Sequence, residues 1–416
     1  MKTRVVLISI GFLCSIPNVI SQNIWSLKEC ITYGRAHSFD AEEIAVLNTT
    51  YKEDKKAIHA SYMPQYKATL NPSYTADYNY KSLLQTSLGL EINTIISAGS
   101  KKKYELQKAD LIITQSEYAI ATAQNNVEEQ ILYAYTNVLL AKEQYAILLD
   151  FYNRLLLLLD TPTLNENDNV SLRDDVFFNA LLEQDGQELL SLKQQYEIAL
   201  VRLQQTMNLP FDPLFEVDEI PEFMVSYPTL EDAFPKATIA DPSISSRLFD
   251  QMIAQKDIAI AKSNLYPAID FQYTPYHTWN SLPNQPDIQH YFGIRIAIPI
   301  LNLKSQKANI QRATINLHLQ ETILDNQKEK LYNTVNLILQ NLKNRQALFI
   351  QSAQSYNKTE ELFSDTEERF LLQAVSYEDY MATRSWDKEN ALKLIALKYE
   401  VITLAKLLDF YTGVTL

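Results

Sequence analysis

The side chains that could carry out chemistry are few and widely spaced. No two histidines stand at the helical spacing of a zinc-binding pair, and the chain has these five: His37, His59, His277, His290 and His318. The acidic doublets Asp174-Asp175 and Glu367-Glu368 could bind a cation, although such doublets more often belong to a solvated helix face. No nucleophile stands beside a base partner, so the sequence predicts no catalytic site, no bound metal and no cofactor.

Glycine is scarce, and its spacing excludes a further class of sites. Only 7 of the 416 residues are glycine, whereas an average soluble composition would supply about 29. No two glycines lie closer than ten residues, so neither a phosphate-binding loop nor a dinucleotide fingerprint can form. The formal net charge of −13 also argues against nucleic acid as a partner, because it would repel a phosphate backbone.

The first 21 residues have the layout of an export signal. Lys2 and Arg4 precede an apolar run at residues 5–13, and residues 19–21 provide a cleavage site before Gln22. After cleavage the chain keeps one cysteine, Cys30, which leaves no internal disulfide and no cysteine metal cluster. No later stretch approaches the roughly 18 continuous apolar residues of a membrane helix. The sequence therefore predicts an exported protein without a helical anchor.

Two blocks of the chain lack any helix breaker and should form very long helices. Proline and glycine are absent from Ser100 to Thr161 and again from Ile300 to Thr412. Between Val127 and Leu159 apolar residues follow alternating spacings of four and three, which predicts a coiled-coil seam. The second block should fold into an antiparallel helix pair that turns near residues 369–376.

Four other segments alternate apolar and polar residues, which predicts β-strands with two different faces. They span residues 66–81, 84–96, 269–274 and 291–298. The first alternates over about 16 residues, whereas strands of soluble proteins average about 5 or 6 and membrane strands need about 9 to 11. Its apolar positions are rich in tyrosine, and amphipathic aromatics mark membrane interfaces. A soluble sandwich is the usual alternative, but these two features favour a membrane barrel.

The strands belong to an internal repeat. A shift of 203 residues aligns three pairs: Asp54 with Asp257, Pro64 with Pro267 and Pro72 with Pro275. After one inserted residue, a shift of 204 aligns five more: Gly89 with Gly293, Ile92 with Ile296, Gln107 with Gln311, Lys108 with Arg312 and Ala109 with Ala313. The predicted parts are a signal peptide at 1–21, a first repeat at 22–210, a linker at 211–228 and a second repeat at 229–416. Each repeat should hold a helix, two strands and a long helical hairpin.

Four strands cannot close a barrel on their own. The smallest membrane barrels have eight strands, and an open sheet edge in lipid leaves backbone groups unsatisfied. The barrel should therefore be shared between chains, and three copies give twelve strands. The charged residues of the polar strand faces would then line the lumen, with mixed signs that suit a wide, weakly selective exit: Lys67, Asp77, Lys81, Glu91, Asp270 and Arg295.

The chain also resembles the TolC-like outer-membrane efflux proteins over essentially its whole mature length, most specifically in its two-copy layout. Six stretches carry the resemblance: WSLKECITYG at 25–34, SYMPQYKATLNPSYT at 61–75, ALVRLQQTMNLP at 199–210, SNLYPAIDFQYTPY at 263–276, GIRIAIPILNLKSQKANIQRA at 293–313 and YEVITLAKLLDFYTG at 399–413. It implies a mainly α fold with a membrane β-barrel part: a trimeric α-helical barrel in the periplasm and a shared twelve-stranded barrel in the outer membrane. It also implies an exit duct of a tripartite efflux pump or type I secretion system, with a periplasmic adaptor and an inner-membrane transporter as partners.

The resemblance further assigns roles at the periplasmic mouth. The family's mouth aspartates are matched by Asp379 and, in the first half, by Asp175, while a second mouth aspartate falls on Ala382. Its gating tyrosine corresponds to Phe370, next to Arg369. Three copies of Asp379 at a narrow mouth would repel anions and admit cations. The competing interpretation is an ordinary solvated carboxylate at a helix end, because exposed aspartate is the norm.

The helical tips depart from the family. Gln373 stands where the second tip usually has a glycine that helps to dock the adaptor. A longer segment at 160–169 replaces the usual first tip. The family's docking residues therefore do not carry over to this chain at these positions.

A different class of protein is also compatible with the pattern. An exported trimeric coiled-coil or surface-structural protein without a pore would use the same long helices, with its strands packed on themselves. Such a protein should be water-soluble after signal removal, whereas a channel should be extracted only with detergent.

Overall fold

A computed structural model describes most of the chain. It covers residues 24–77, 80–160, 176–221, 228–279, 288–299, 303–372 and 374–414. The predicted signal peptide, Asp175, Gln373 and the tip segment at 161–169 lie outside the described residues.

Eight helices form most of the described chain. The four long ones are α3 Lys101–Asp160, α4 Val176–Thr206, α7 Leu303–Leu371 and α8 Tyr377–Tyr411. The four short ones are α1 Leu27–Ala36, α2 Phe39–Ser61, α5 Leu230–Ala240 and α6 Pro242–Ser263. At about 1.5 Å per residue, the 60 residues of α3 and the 69 of α7 extend for about 90 and 100 Å. The absence of proline and glycine thus predicted α3, α7 and α8 correctly. Helix α7 ends and α8 begins within or next to the predicted turn at residues 369–376.

None of the helices in the described ranges combines the length and the apolar character needed to cross a membrane.

Helix α3 lies at the centre of the helical part, and α1, α2, α4, α6 and α8 pack against it. On its predicted seam Ile131, Val138, Leu148 and Leu155 are completely buried. The buried face is wider than a coiled-coil seam, because it also includes Leu132, Tyr135, Leu139, Phe151 and Leu158. A seam serves one partner helix, whereas a helix with several neighbours buries more of its circumference.

The predicted strands form one antiparallel sheet. It contains β2 Gln65–Asp77, β3 Tyr80–Ser97, β5 Ala268–Trp279 and β6 Ile288–Ala297, in the spatial order β2-β3-β5-β6. A separate parallel pair of two residues each joins β1 Ile24–Trp25 to β4 Glu216–Val217. One prediction was wrong in detail: the first strand ends at Asp77, and Tyr80 and Lys81 belong to β3. The alternation of apolar and polar residues in the sequence continues without a break from 66 to 81, so the period of two could not separate β2 from β3.

The order helix, helix, strand, strand, long helix, shorter helix occurs twice along the chain. Lys67 lies opposite Glu91 in the first hairpin, and Asp270 lies opposite Arg295 in the second. Shifts of 203 and 204 residues superpose these two pairs, so the strand register agrees with the sequence alignment of the repeats. The two hairpins are built alike, with the signs of the paired charges exchanged.

Candidate functional site

One face of the four-stranded sheet exposes large apolar side chains. On the edge strand β2 these are Tyr66, Leu70 and Tyr74, which are 63 to 70% exposed. On the opposite edge strand β6 they are Phe292, Ile294 and Ile296, at 60 to 75%. Isolated exposed apolar residues are ordinary, but a continuous apolar sheet face marks a surface that water does not normally cover.

The other face of the sheet is polar and charged. Residues opposite each other in an antiparallel pair point to the same face, so Lys67 and Glu91 lie side by side, as do Asp270 and Arg295. Glu91 Oε1 accepts hydrogen bonds from Asn93 Nδ2 at 2.7 Å and from Gln272 Nε2 at 3.4 Å. Charges of both signs therefore share this face, which gives it no strong net potential.

The structure brings together three of the predicted lumen residues. Glu91, Asp270 and Arg295 line one depression in the polar face. Lys67 lies on the neighbouring edge strand, beside Glu91. Asp77 ends β2 and Lys81 lies near the start of β3, both at the far end of the first hairpin.

At the other end of the molecule, Asp379 lies in the exposed first turn of α8. Its backbone N–H donates to Ser376 Oγ at 3.1 Å, and the Ser376 hydroxyl donates to Asp379 Oδ2 at 2.7 Å. This reciprocal contact satisfies an otherwise free N–H at the helix start, and the carboxylate also interacts favourably with the helix dipole. The contact agrees with the helix-end interpretation, while the exposure of the carboxylate leaves it accessible to ions.

The Phe370 side chain is part of a cluster of aromatic rings. Its ring lies 4.8 Å from the ring of Tyr380 and 5.8 Å from that of Phe178. Tyr380 is completely buried, and burial raises the pKa of its hydroxyl to about 12. The cluster therefore joins the ends of α4, α7 and α8. Arg369, next to Phe370, is exposed and forms an ion pair with Asp365 at 3.5 Å.

A network of buried charged side chains lies next to this aromatic cluster. Arg384 of α8 forms an ion pair with Asp185 of α4, and the two residues are 3% and 0% exposed. Arg384 Nη2 also donates to the Phe151 carbonyl at 3.4 Å. Lys388 Nζ lies 3.7 Å from Asp185 and 2.8 Å from Glu188. These contacts link three long helices, α3, α4 and α8, near their tips.

A second polar contact in the same region involves Asp387, which is 1% exposed. Its carboxylate accepts a hydrogen bond from Thr359 Oγ1 at 3.1 Å. Burial raises the pKa of Asp387, and the hydrogen bond partly opposes that shift. The sequence analysis predicted a role for neither Asp387 nor Arg384. The three-four spacing of α8, extended backwards from Leu394, reaches Asp387 but then Thr383 instead of Arg384, so it could have indicated only the burial of Asp387.

In the parts of the chain that the structure describes, no group of three or more His, Cys, Asp or Glu side chains is placed to hold a metal ion.

Comparisons with known proteins show which solved structures share this fold. The sequence matches no protein-family model and no curated protein. Solved structures do match. The Campylobacter jejuni CmeC outer membrane channel gives a TM-score of 0.78 at 15% identity and covers 93% of this chain and 85% of its own. The Neisseria gonorrhoeae MtrE outer membrane channel, in its open state, gives a TM-score of 0.76 at 14% identity, and the match covers 94% of this chain and 89% of MtrE. The Vibrio cholerae outer membrane protein VceC gives a TM-score of 0.75 at 13% identity, and the match covers 93% of this chain and 96% of VceC. The chain therefore has the fold of these outer-membrane channels.

Proposed function

We propose that the chain is a TolC-like outer-membrane channel, the exit duct of a tripartite efflux pump or a type I secretion system. It would be a passive conduit rather than an enzyme, docked to a periplasmic adaptor and an inner-membrane transporter. The observation that carries the proposal is the sheet: one apolar face, one charged face and two unclosed edges, mounted on helices about 90 to 100 Å long. The likeness to outer-membrane channels supports it.

The active form would be a homotrimer. Strands β2 and β6 each pair on one side only within the described chain. In lipid, each unsatisfied backbone group of such an edge costs several kcal/mol, so the edges must meet those of other copies. Three copies close twelve strands in the outer membrane, with the apolar face toward lipid, and their long helices continue the duct into the periplasm. In this arrangement the repeats at 22–210 and 229–416, joined by a linker at 211–228, form six similar wall units.

The charged sheet face would line the lumen. Across the four strands the charges are positive at Lys67, negative at Glu91 and Asp270, and positive at Arg295, and we place Asp77 and Lys81 in the same lining. Mixed charge binds no ion strongly, which suits an exit that must release varied cargo. Cargo selection would therefore be left to the transporter.

The mouth would be formed by the tips of α7 and α8. Asp379 supplies the exposed carboxylate, with Asp175 as its counterpart in the first half. Phe370 fixes the two helix ends against α4 through its ring contacts, so it would set the width of the mouth. Arg369 lies on the exposed side of the same turn.

A pair of variants separates the electrostatic role of Asp379 from its capping role. A unit charge about 4 Å from an ion in water is worth about 1 kcal/mol, so Asp379→Ala should lower the cation-to-anion permeability ratio about fivefold. Ser376→Ala is the matched control, because it removes the same cap contact and keeps the carboxylate. Reversal potentials in a planar bilayer measure both. An unchanged ratio in Asp379→Ala, or an equal change in the two variants, would contradict a charged mouth.

The alternative is an exported trimeric coiled-coil or surface protein without a pore. It predicts a protein that stays in the aqueous fraction after signal removal. The channel predicts extraction from membranes only with detergent and a native mass of three chains. Fractionation with native mass spectrometry distinguishes the two, and a water-soluble protein would reject the channel.

A further inference from the structure

The apolar face of the sheet changes character at the end of the second hairpin that is remote from the helices. On this face of β5, the apolar positions at 269–273 are followed by Pro275, His277 and Trp279. On β6, His290 lies directly opposite Pro275 and therefore on the same face. His277 is a diagonal neighbour of His290, at about 7 to 8 Å, and Trp279 lies two residues further along β5. Three nitrogen-bearing rings thus come together on an otherwise apolar surface.

Neighbouring side chains determine where the two imidazole rings carry their protons. The Tyr273 hydroxyl lies 3.0 Å from His290 Nδ1, and the two rings are nearly parallel. When the phenol donates to Nδ1, the ring proton of His290 is on Nε2. His277 Nδ1 is buried without a hydrogen-bond partner among the described residues, and its ring meets that of Trp279 with 4.8 Å between centroids. Because buried N–H groups without a partner are rarer than buried acceptors, the proton of His277 also belongs on Nε2.

His277, His290 and Trp279 therefore form what we call the donor cluster. His290 is exposed, Trp279 is 46% exposed, and the indole N–H can only donate. Along this face of β5 and β6 there is no Asp, Glu, Lys or Arg, since Asp270 and Arg295 lie on the other face. Donors without an acidic neighbour favour an anionic acceptor and disfavour a cation.

The height of the donor cluster on the sheet indicates which anion it meets. Ala268 and Ala297 lie at the helical end of the hairpin, because α6 precedes β5 and α7 follows β6. His277 is eight residues beyond Ile269, which is about 27 Å along an antiparallel strand. With a strand tilt of about 35 to 45°, His277 lies about 20 Å above Ile269, whereas the apolar band of membrane barrels is about 25 Å tall. The donor cluster therefore lies close to the level of the lipid headgroups and their phosphates.

We propose that the donor cluster binds the phosphate of a phosphorylated lipid headgroup in the outer leaflet of the membrane. His277 Nε2, His290 Nε2 and Trp279 Nε1 donate to the phosphate oxygens. The acyl chains then lie along the exposed apolar face below, which includes Phe292 and Ile294. This site rests on the proposed function, because the cluster meets lipid only where the sheet is part of a membrane barrel. All three donors come from one hairpin, so each chain carries its own site.

Native mass spectrometry of the detergent-purified protein tests the site. The two probes are phosphatidic acid and diacylglycerol with the same acyl chains, which differ only in the phosphate. The wild-type protein should retain up to three phosphatidic acid molecules per trimer, with an apparent affinity at least tenfold above that for diacylglycerol. His277→Phe with His290→Phe removes two donors to a charged acceptor and keeps both rings, so this preference should fall at least tenfold.

Tyr276→Phe is the matched control for the loss of a hydrogen-bonding group from β5. Tyr276 precedes His277 but lies on the charged face, where its hydroxyl donates to Gln289 Oε1. This variant should therefore keep the wild-type preference. Trp279→Phe changes only an exposed ring at the end of β5 and serves where the double variant does not assemble. It removes the third donor and should lower the preference at least threefold.

Each outcome decides the proposal. Equal retention of phosphatidic acid and diacylglycerol by the wild-type trimer would overturn it and leave an ordinary aromatic belt. An unchanged preference in the His277→Phe, His290→Phe trimer, or an equal loss in Tyr276→Phe, would overturn it as well. Displacement of phosphatidic acid by inorganic phosphate at the same concentration would reject the lipid in favour of free phosphate. In these cases a native mass of three chains leaves the channel proposal standing, whereas a water-soluble monomer would overturn both.

Discussion

Replacing Arg384 with alanine is expected to lower the free energy of unfolding by about 3 to 5 kcal/mol, because it removes one partner of a buried ion pair. Asp185 is completely buried, and without Arg384 its nearest base is Lys388, 3.7 Å away and already engaged with Glu188. The cost is the desolvation of a carboxylate that has lost its partner. Loss of helical circular dichroism during urea titration in detergent measures it.

Two further variants test that explanation. Arg369→Ala is the matched control, because its ion pair with Asp365 is exposed and such pairs contribute about 0.2 to 1 kcal/mol. The double variant Asp185→Leu with Arg384→Leu removes both buried charges and should recover much of the stability lost in Arg384→Ala. Equal destabilisation by Arg384→Ala and Arg369→Ala, or no recovery in the double variant, would contradict a buried charge network.

Substituting arginine at Leu70 is expected to prevent or severely weaken membrane assembly, whereas arginine at the next residue should be tolerated. Leu70 lies near the middle of β2 on the apolar face, and a lipid-facing arginine at the bilayer midplane costs about 2 to 4 kcal/mol. Asn71 follows it on the polar face, where arginine would enter water and cost about 0.5 kcal/mol or less. The fraction of folded, membrane-inserted protein measures the difference.

This pair of variants assigns the two faces of the sheet without any other information. Both substitutions introduce the same side chain at adjacent positions of one strand, so secondary-structure propensity and net charge are matched. A larger defect in Asn71→Arg would mean that the faces are reversed. Two equally small defects would mean that neither face contacts lipid, as in the pore-free surface protein.

Much of the fold could be predicted because its signals are local or repeated. The absence of proline and glycine located α3, α7 and α8, and the period of two located the four strands of the sheet. The agreement of Lys67–Glu91 with Asp270–Arg295 in register shows why the repeat was informative. Both halves retain the same geometry, although most of their side chains differ.

The tip cluster could not be predicted, because its partners come from distant parts of the chain. Phe178 and Tyr380 are about 200 residues apart, and nothing in either local pattern indicates that their rings meet Phe370. The burial of Arg384 could not be predicted either, because a charged residue is rarely buried without a partner. Only the packing of α4 against α8 reveals that Asp185 provides one.

Planar-bilayer recording of the purified wild-type protein tests the channel most directly. Trimers with a water-filled lumen should insert one by one, so the current should rise in discrete steps of equal size. The steps should persist in the Ser376→Ala variant and disappear when Leu70→Arg prevents insertion. Detergent-purified trimer that leaves the bilayer resistance unchanged over many insertion attempts would contradict an outer-membrane duct and favour the pore-free structural protein.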